Sequence, residues 1–465
     1  MAKVKEKKHY EIDMTEGRVF GKLIAFALPL MATGVLQCLY NAADLIVVGR
    51  FAGDGPLAAV GATGTLISLI VNLFVSMAIG TSVTVAAAIG ARDEERVERL
   101  VHTSIAFSLV GGLITMLVGV IFARDFLLLL DTPDDIIDMS TLYMQIYFSG
   151  STFSMFYNFG ASVLRATGDS RRPLYYLFIS GLVNVVLNLF FVLVLGMDVD
   201  GVAYATIISQ MISAVMVFVA LVRETGACRL VLRRIRFCRR ELSDIVRIGL
   251  PASIQSLVFS VSNSIIQAAI NSFDKVAIAG HTASSNIDNI VYTAMYTTST
   301  AAVTAVGQNV GAGKYRRILH ILFDCLLITS VIWAIFGGGV LLFQRELLDI
   351  YLPNSPQAVE YGILRFSVIT TTYFLCGWMD TITGVTRGMG SSLVPMIVSV
   401  IGVCGVRLVW IYTVFAANHD LATLYWSYPV SWAFTALLQL VLCLMVRHRL
   451  AARQKEIVME ETIPC

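Results

Sequence analysis

Pro29-Leu-Met-Ala-Thr-Gly-Val-Leu-Gln-Cys-Leu-Tyr-Asn-Ala-Ala-Asp44 places a carboxylate inside an apolar run long enough to be a membrane helix. At helical spacing Gly34, Gln37, Asn41 and Asp44 follow one another at steps of three, four and three, so they share one stripe while leucine and valine cover the rest. A polar stripe on such a helix faces protein or trapped water, not lipid. An ionised carboxylate in that setting is costly and prefers to be neutral unless a proton or cation compensates it. The stretch therefore reads as an ion-coupling helix.

Composition agrees. Hydrophobic residues make up 57% of the 465 and charged residues 14%, with a mean hydropathy of +0.75. Soluble globular chains carry about 25% charge, so the chain reads as an all-α polytopic membrane protein. Of the cysteines, only Cys228, Cys238 and Cys465 fall outside apolar segments, and no disulfide framework is expected. The first apolar segment is too long for a cleavable signal and lacks a small-residue cleavage site.

Apolar segments run over 21–46, 57–82, 101–123, 139–163, 173–196, 201–222, 249–271, 280–307, 318–343, 357–385, 393–416 and 422–446, each near the roughly 20 residues that span a bilayer. Their connections alternate in charge. Arg92, Arg96 and Arg99, then Arg165, Arg171 and Arg172, then the arginines from Arg223 to Arg247, then Lys314, Arg316 and Arg317, then Arg387, and finally Arg447 and Arg449 mark one side. The other side is assigned only Arg50, Arg124, Lys275, Arg345 and Arg365, with acids at Asp131, Asp134, Asp135 and Asp138. The positive-inside rule puts both termini in the cytoplasm of a cell whose plasma (inner) membrane holds the chain. The arginines from Arg229 to Arg240 read as a topology determinant in contact with lipid headgroups.

The segments repeat. Pro29 and Asn41 are twelve residues apart, as are Pro251 and Asn263; Gly90-Ala-Arg-Asp93 matches Gly311-Ala-Gly-Lys314; Arg165-Ala-Thr-Gly168 before Pro173 matches Arg387-Gly-Met-Gly390 before Pro395. Six helices are an even number, so both copies enter from one side, and two six-helix bundles related by a pseudo-two-fold axis along the membrane normal are expected. The division expected is a tail at 1–16, an N-terminal lobe at 17–222, a linker at 223–248, a C-terminal lobe at 249–446 and a tail at 447–465. Gly311-Ala-Gly-Lys314 is no phosphate loop, because Gln308 stands where glycine is needed and Tyr315 where Ser or Thr would bind magnesium.

With Gln37, Tyr40, Asn41 and Asp44 after Pro29, Leu57-Ala-Ala-Val-Gly61, Arg165-Ala-Thr-Gly-Asp169, Val306-Gly-Gln-Asn-Val-Gly-Ala-Gly-Lys314 and Arg387-Gly-Met-Gly390, the chain resembles the multidrug and toxic compound extrusion (MATE) family over about residues 15–450. The resemblance implies two lobes that alternate access and export small organic, often cationic, compounds in exchange for protons or sodium ions. It implies no cofactor beyond that ion, no nucleic-acid partner, contact with membrane lipids and a monomer. It matches Asp44 to the first-helix aspartate, Gln37 to its polar neighbour, Asn184 to the asparagine of the fifth helix and Thr206 to the hydroxyl of the sixth. Asn188 departs from the pattern, since relatives with a two-aspartate network carry an acid there. One carboxylate then holds one proton, or helps coordinate one sodium ion through Asp44, Asn188 and Thr206. The glutamate that other branches place in the seventh helix is missing from Gln255-Ser-Leu-Val-Phe-Ser260.

In the second half Asp288, Asp380 and Arg407 lie within apolar segments. Unpaired membrane charges are expensive, so Arg407 is expected to neutralise an aspartate, Asp380 first. Gln37, Asn41, Asp288, Asp380, Tyr292 and Met295 are candidates for a substrate cavity, and Met155, Tyr157, Met211 and Tyr296 are adaptable surface of the same kind. His281 is placed at the outer end of its helix, near the cavity mouth. A related flippase for a lipid-linked precursor would need a strongly basic cavity, and Arg407 is the one arginine read as lying deep. A membrane enzyme would need clustered catalytic groups, which six scattered histidines do not supply.

Overall fold

The computed structural model describes residues 10–462 except Gly53, Asp131 and Asn354, and at a few helical positions, Asn41 among them, the backbone alone. Twelve long helical segments follow one another: α1 Val19–Val47, α2 Asp54–Gly90, α3 Glu94–Ile121, α4 Ile137–Ser149 continued past Gly150 as Ser151–Ala166, α5 Arg171–Leu189 and α6 Val199–Val222. The second set is α7 Arg239–Ile270, α8 Lys275–Gly311, α9 Arg317–Leu342, α10 Pro356–Arg365 continued as Thr371–Gly388, α11 from Leu393 to Phe415, and α12 Leu421–Thr462. Every apolar segment read from the sequence is one of these helices, most of them lengthened by polar turns at the ends.

Nine of the described helices are long and apolar enough to cross a membrane on their own. The other three segments are α4, α8 and α10, and packing explains why. In the N-terminal unit α4 is flanked by α2, α3 and α6; in the C-terminal unit α8 and α10 pack on each other, and α10 also lies on α9 and α12. Helices enclosed by protein need not be apolar all round. On α8, Ser284, Thr297, Ser299, Thr304, Gln308 and Asn309 are all buried.

The chain divides into two compact units, one of residues 1–13 and 32–253, the other of 14–31 and 254–465. Both breaks fall inside helices, two residues beyond Pro29 in α1 and two beyond Pro251 in α7. A proline lacks the N–H that would close the preceding turn and crowds its carbonyl, so each helix changes allegiance where its ladder is weakest. The first turns of α7 and the segment before it belong to the first unit. His102 Nε2 accepts from the Val231 amide at 3.0 Å, Arg96 meets Asp244 at 2.9 Å, and Arg99 meets Glu241 at 2.7 Å.

The repeated motifs have conformational reasons. After α2 the chain turns through Arg92 at φ 57°, and after α8 through Gly313 at φ 70°, the left-handed residue that ends many helices. Lys314 is no phosphate ligand here: its Nζ donates to the Thr15 carbonyl at 2.9 Å. It belongs to a strap in which the Met14 amide donates to Gln308 Oε1 at 2.9 Å and Asn309 Nδ2 donates to the Met14 carbonyl at 3.0 Å. In the N-terminal unit, Asp169 of the arginine motif accepts from the amides of Arg171 and Arg172 at the start of α5 and pairs with the Arg172 guanidinium, which also holds buried Glu224 at 2.8 Å.

Candidate functional site

Asp44 lies on the last turns of α1, partly buried, opposite α5. Asn188 Nδ2 donates to Asp44 Oδ1 at 2.5 Å and to Asn184 Oδ1 at 3.3 Å. The i, i+4 spacing on α5 sets both amides on one face. Asn188 is fully buried and Asn184 nearly so. Among the described residues Asn188 Oδ1 has no hydrogen-bond partner, although buried acceptors are rarely left so.

One turn back, Tyr40 fixes how closely α1 approaches α5. Its hydroxyl donates to the Phe178 carbonyl at 3.2 Å. Its ring occupies the space above Gly181, where a Cβ would stand 2.0 Å from ring carbons. Glycine at 181 is thus required by the tyrosine, and the two together seat the carboxylate on its amide partner.

The other expected members of this set scatter. Thr206 donates its hydroxyl to the Val202 carbonyl of its own helix at 3.0 Å, so it gives Asp44 no proton. Gln37 is exposed. The side chain of Asn41 lies outside the described residues. A small cavity inside the same unit, about 20 Å³, is lined by Thr115, Tyr147, Ser151, Ser154 and Asn158 among apolar neighbours; it has room for about one water.

In the C-terminal unit the expected charge pairing is corrected. Arg407 does not neutralise Asp380: its Nη1 donates to Asn263 Oδ1 at 3.1 Å, its Nε donates to Ser431 Oγ at 3.2 Å, and its guanidinium lies 4.3 Å from the centre of the Tyr428 ring. The ion pair forms elsewhere. Asp288 is bound by Arg365 and accepts from Thr370 Oγ1 at 2.7 Å. Arg365, assigned from the sequence to a loop on the far side, is a buried residue of α10. A wide π-helical turn, Phe366–Thr370, follows it, and the Thr370 carbonyl is held by Trp333 Nε1 at 2.8 Å. The extra residue in that turn aims Arg365 and Thr370 at the same carboxylate.

Asp380 is buried with Tyr292 and Arg387 beside it. Arg387 Nη2 donates to Gln255 Oε1 at 2.8 Å. Two further arginines, Arg365 and Arg387, therefore lie as deep as Arg407. The sequence carried a signal for Arg365, eight residues inside the apolar segment 357–385; nothing in it marked Gln255 as the partner of Arg387. Met295 is 1% exposed and packs in the core rather than on a cavity wall. His281 is buried too, 3.4 Å from the Tyr425 hydroxyl, and not at an open mouth.

The fold and the site define a duplicated, all-helical integral membrane protein with an amide-bound carboxylate in its first helix. The chain belongs to the MatE family, whose model matches it twice, over residues 29–190 and 251–413. Both matches begin at the proline of the first helix of a half. It is 27% identical over 434 residues to the Bacillus subtilis protein named "Probable multidrug resistance protein YoeA", covering 90% of this chain and 92% of that one. It is 27% identical over 399 residues to "Probable multidrug resistance protein NorM" of Thermotoga maritima, covering 83% and 84%. Among solved structures it superposes with a TM-score of 0.88 on an outward-facing multidrug resistance MATE family transporter of the MOP superfamily, at 22% identity over 97% of this chain and all of that one. A MOP superfamily transporter from Pyrococcus furiosus gives a TM-score of 0.89 at 21% identity, covering 96% and 99%. These structures share the twelve-helix, two-bundle fold.

Proposed function

We propose that the chain is a secondary active antiporter that exports small organic, often cationic, compounds in exchange for H+ or Na+. It would work as a monomer in the plasma membrane, in contact with lipid and with both termini cytoplasmic. The observation that carries this reading is the environment of Asp44: among the described residues, the only side chain that meets this membrane carboxylate is a neutral amide. A membrane acid without a cation is a functional site by default. The names of the relatives support the substrate class, and the family supports the transport cycle.

Asn188 suits both states of Asp44. Ionised, the carboxylate accepts from Nδ2, as observed. Protonated, it gains an O–H donor, and the unpartnered Asn188 Oδ1 can accept it once the amide turns over. For sodium, the oxygens at hand are the carboxylate and Asn188 Oδ1, and hard oxygen donors of this kind fit a small monovalent cation. Loading the site from outside neutralises it, removes the attraction for a cationic substrate and lets α1 repack about Pro29. Release of the ion to the cytoplasm restores the charge and the next substrate enters. Asn184 and Asn188 position the acid; Asp288 and Asp380 stand as substrate-side candidates, with Tyr292 beside Asp380. No catalytic residue is proposed.

The deciding experiment is efflux of a cationic dye from cells expressing the chain, with and without a sodium gradient or a protonophore. Export that collapses with one gradient identifies the ion. Dye retention equal to that of cells lacking the chain would overturn the proposal.

A further inference from the structure

Among the described residues, three guanidinium groups are buried in the C-terminal unit, and they differ in what meets them. Arg365 has Asp288. Arg387 has Gln255, with Asp380 nearby. Among the described residues Arg407, 4% exposed, has only neutral acceptors, Asn263 and Ser431, and the aromatic faces of Tyr428 at 4.3 Å and Trp432 at 6.0 Å. Among the described residues, the Nε atoms of Arg365 and Arg387 are sealed in without partners, whereas no nitrogen of Arg407 is, and its Nη2 makes no hydrogen bond. Asn263 is exposed on α7, and its Nδ2 is likewise uncommitted.

The first half offers a comparison. Asp44 meets Asn188 and Asn263 meets Arg407, each pair separated by 144 residues and each joining the first helix of a half to its fifth. One junction is a carboxylate with an amide, the other an amide with a guanidinium. In the register of the repeat, where Asn263 matches Asn41, the two contacts lie about one helical turn apart, and they carry opposite charge.

We propose that Arg407 and Asn263 form a recognition site for the anionic oxygens of an amphiphilic ligand, a carboxylate or a phosphate. Arg407 Nη2 and Asn263 Nδ2 supply two donors suited to a pair of anionic oxygens. Tyr428 and buried Trp432 hold the guanidinium plane, and the half-buried Tyr428 ring offers apolar surface to the body of the ligand. The site widens the substrate class to zwitterionic and anionic compounds. The inference rests on reading the chain as an exporter of organic compounds, but its test reads binding alone.

The full chain in phosphatidylcholine nanodiscs is titrated with pyrenebutyrate, with its neutral counterpart pyrenebutanol, and with fluorescent phosphatidic acid. Wild type should bind at least one of the two anions at least tenfold more tightly than pyrenebutanol, the scale of one charge-assisted hydrogen bond. Arg407→Gln should remove that preference. Asn263→Asp keeps the guanidinium and gives it an internal carboxylate, so it should abolish anion binding while the melting temperature holds or rises. Preference for pyrenebutyrate alone assigns a soluble ligand, and preference for phosphatidic acid alone a lipid headgroup. No preference for either anion in wild type overturns the proposal, as does wild-type anion binding by Asn263→Asp. A chain that binds anions yet exports no dye keeps this site and loses the transport reading.

Discussion

Asn188 donates its side-chain amide to the Asp44 carboxylate at 2.5 Å across 144 residues of chain, so the fifth helix carries an uncharged partner for the acid of the first. Asp44→Asn removes the titratable group and keeps the shape. Coupled dye efflux should be lost while the purified protein keeps its melting temperature. Full efflux by this variant would remove Asp44 from the mechanism.

Asn188→Asp sets a second carboxylate against the first. Two acids at hydrogen-bonding distance cannot both ionise and share a proton. Efflux by this variant should run on a proton gradient alone and stop when a protonophore is added. A variant that still required sodium would show that the pair does not act as a proton carrier.

At Gly181 a Cβ would stand 2.0 Å from the Tyr40 ring. Gly181→Ala should cost about 1–3 kcal/mol of stability through overpacking and reduce efflux, although every polar group near Asp44 is retained. Adding Tyr40→Ala relieves the clash, so the double variant should recover thermal stability but not transport. If Gly181→Ala melted and transported like wild type, helices α1 and α5 would not be seated by this contact.

The buried pair Asp288–Arg365 gives a different pattern. Asp288→Asn leaves a buried guanidinium without its counter-charge and should cost about 3–5 kcal/mol, whereas Asp288→Leu combined with Arg365→Met should fold close to wild type. Melting temperatures of the three proteins decide this. Equal destabilisation of the single and double variants would mean that the pair is not energetically coupled.

Deleting residues through Gly17 removes the partners of Gln308, Asn309, Lys314 and Arg317 at the end of α8. Each lost kcal/mol should lower the melting temperature by roughly 2–4 °C, and the deletion should cost more than Lys314→Ala alone. An unchanged melting temperature would make the strap dispensable.

Much of this was legible in the sequence. The spans and the duplication show because lipid exposure imposes length and apolarity on each helix, and repeated prolines and left-handed turns recur at matched positions. Asp44 with Asn188 was legible because both stand out against apolar neighbours on faces that spacing alone defines. Partnership across the C-terminal unit was not. Apolar periodicity says which face of a helix is polar, but not which of Asp288 and Asp380 an arginine reaches, and the wide turn after Arg365 rotates that residue out of the register a regular helix would give. Thr206 came from the resemblance, and spacing did not show that its hydroxyl is satisfied on the turn before it, on the Val202 carbonyl.

Under the antiport proposed above, the carboxylate at Asp44 would also set a stoichiometry. A site with one acid and neutral amides would carry one monovalent ion per cycle, so exchange for a singly charged cation would move no net charge. Such an exporter is blind to voltage and sustains at most one decade of substrate gradient for each decade of ion gradient. A neutral compound carried by the same cycle would instead draw on the membrane potential, at about 2.3 kcal/mol per 100 mV, and would be concentrated more steeply than the cation.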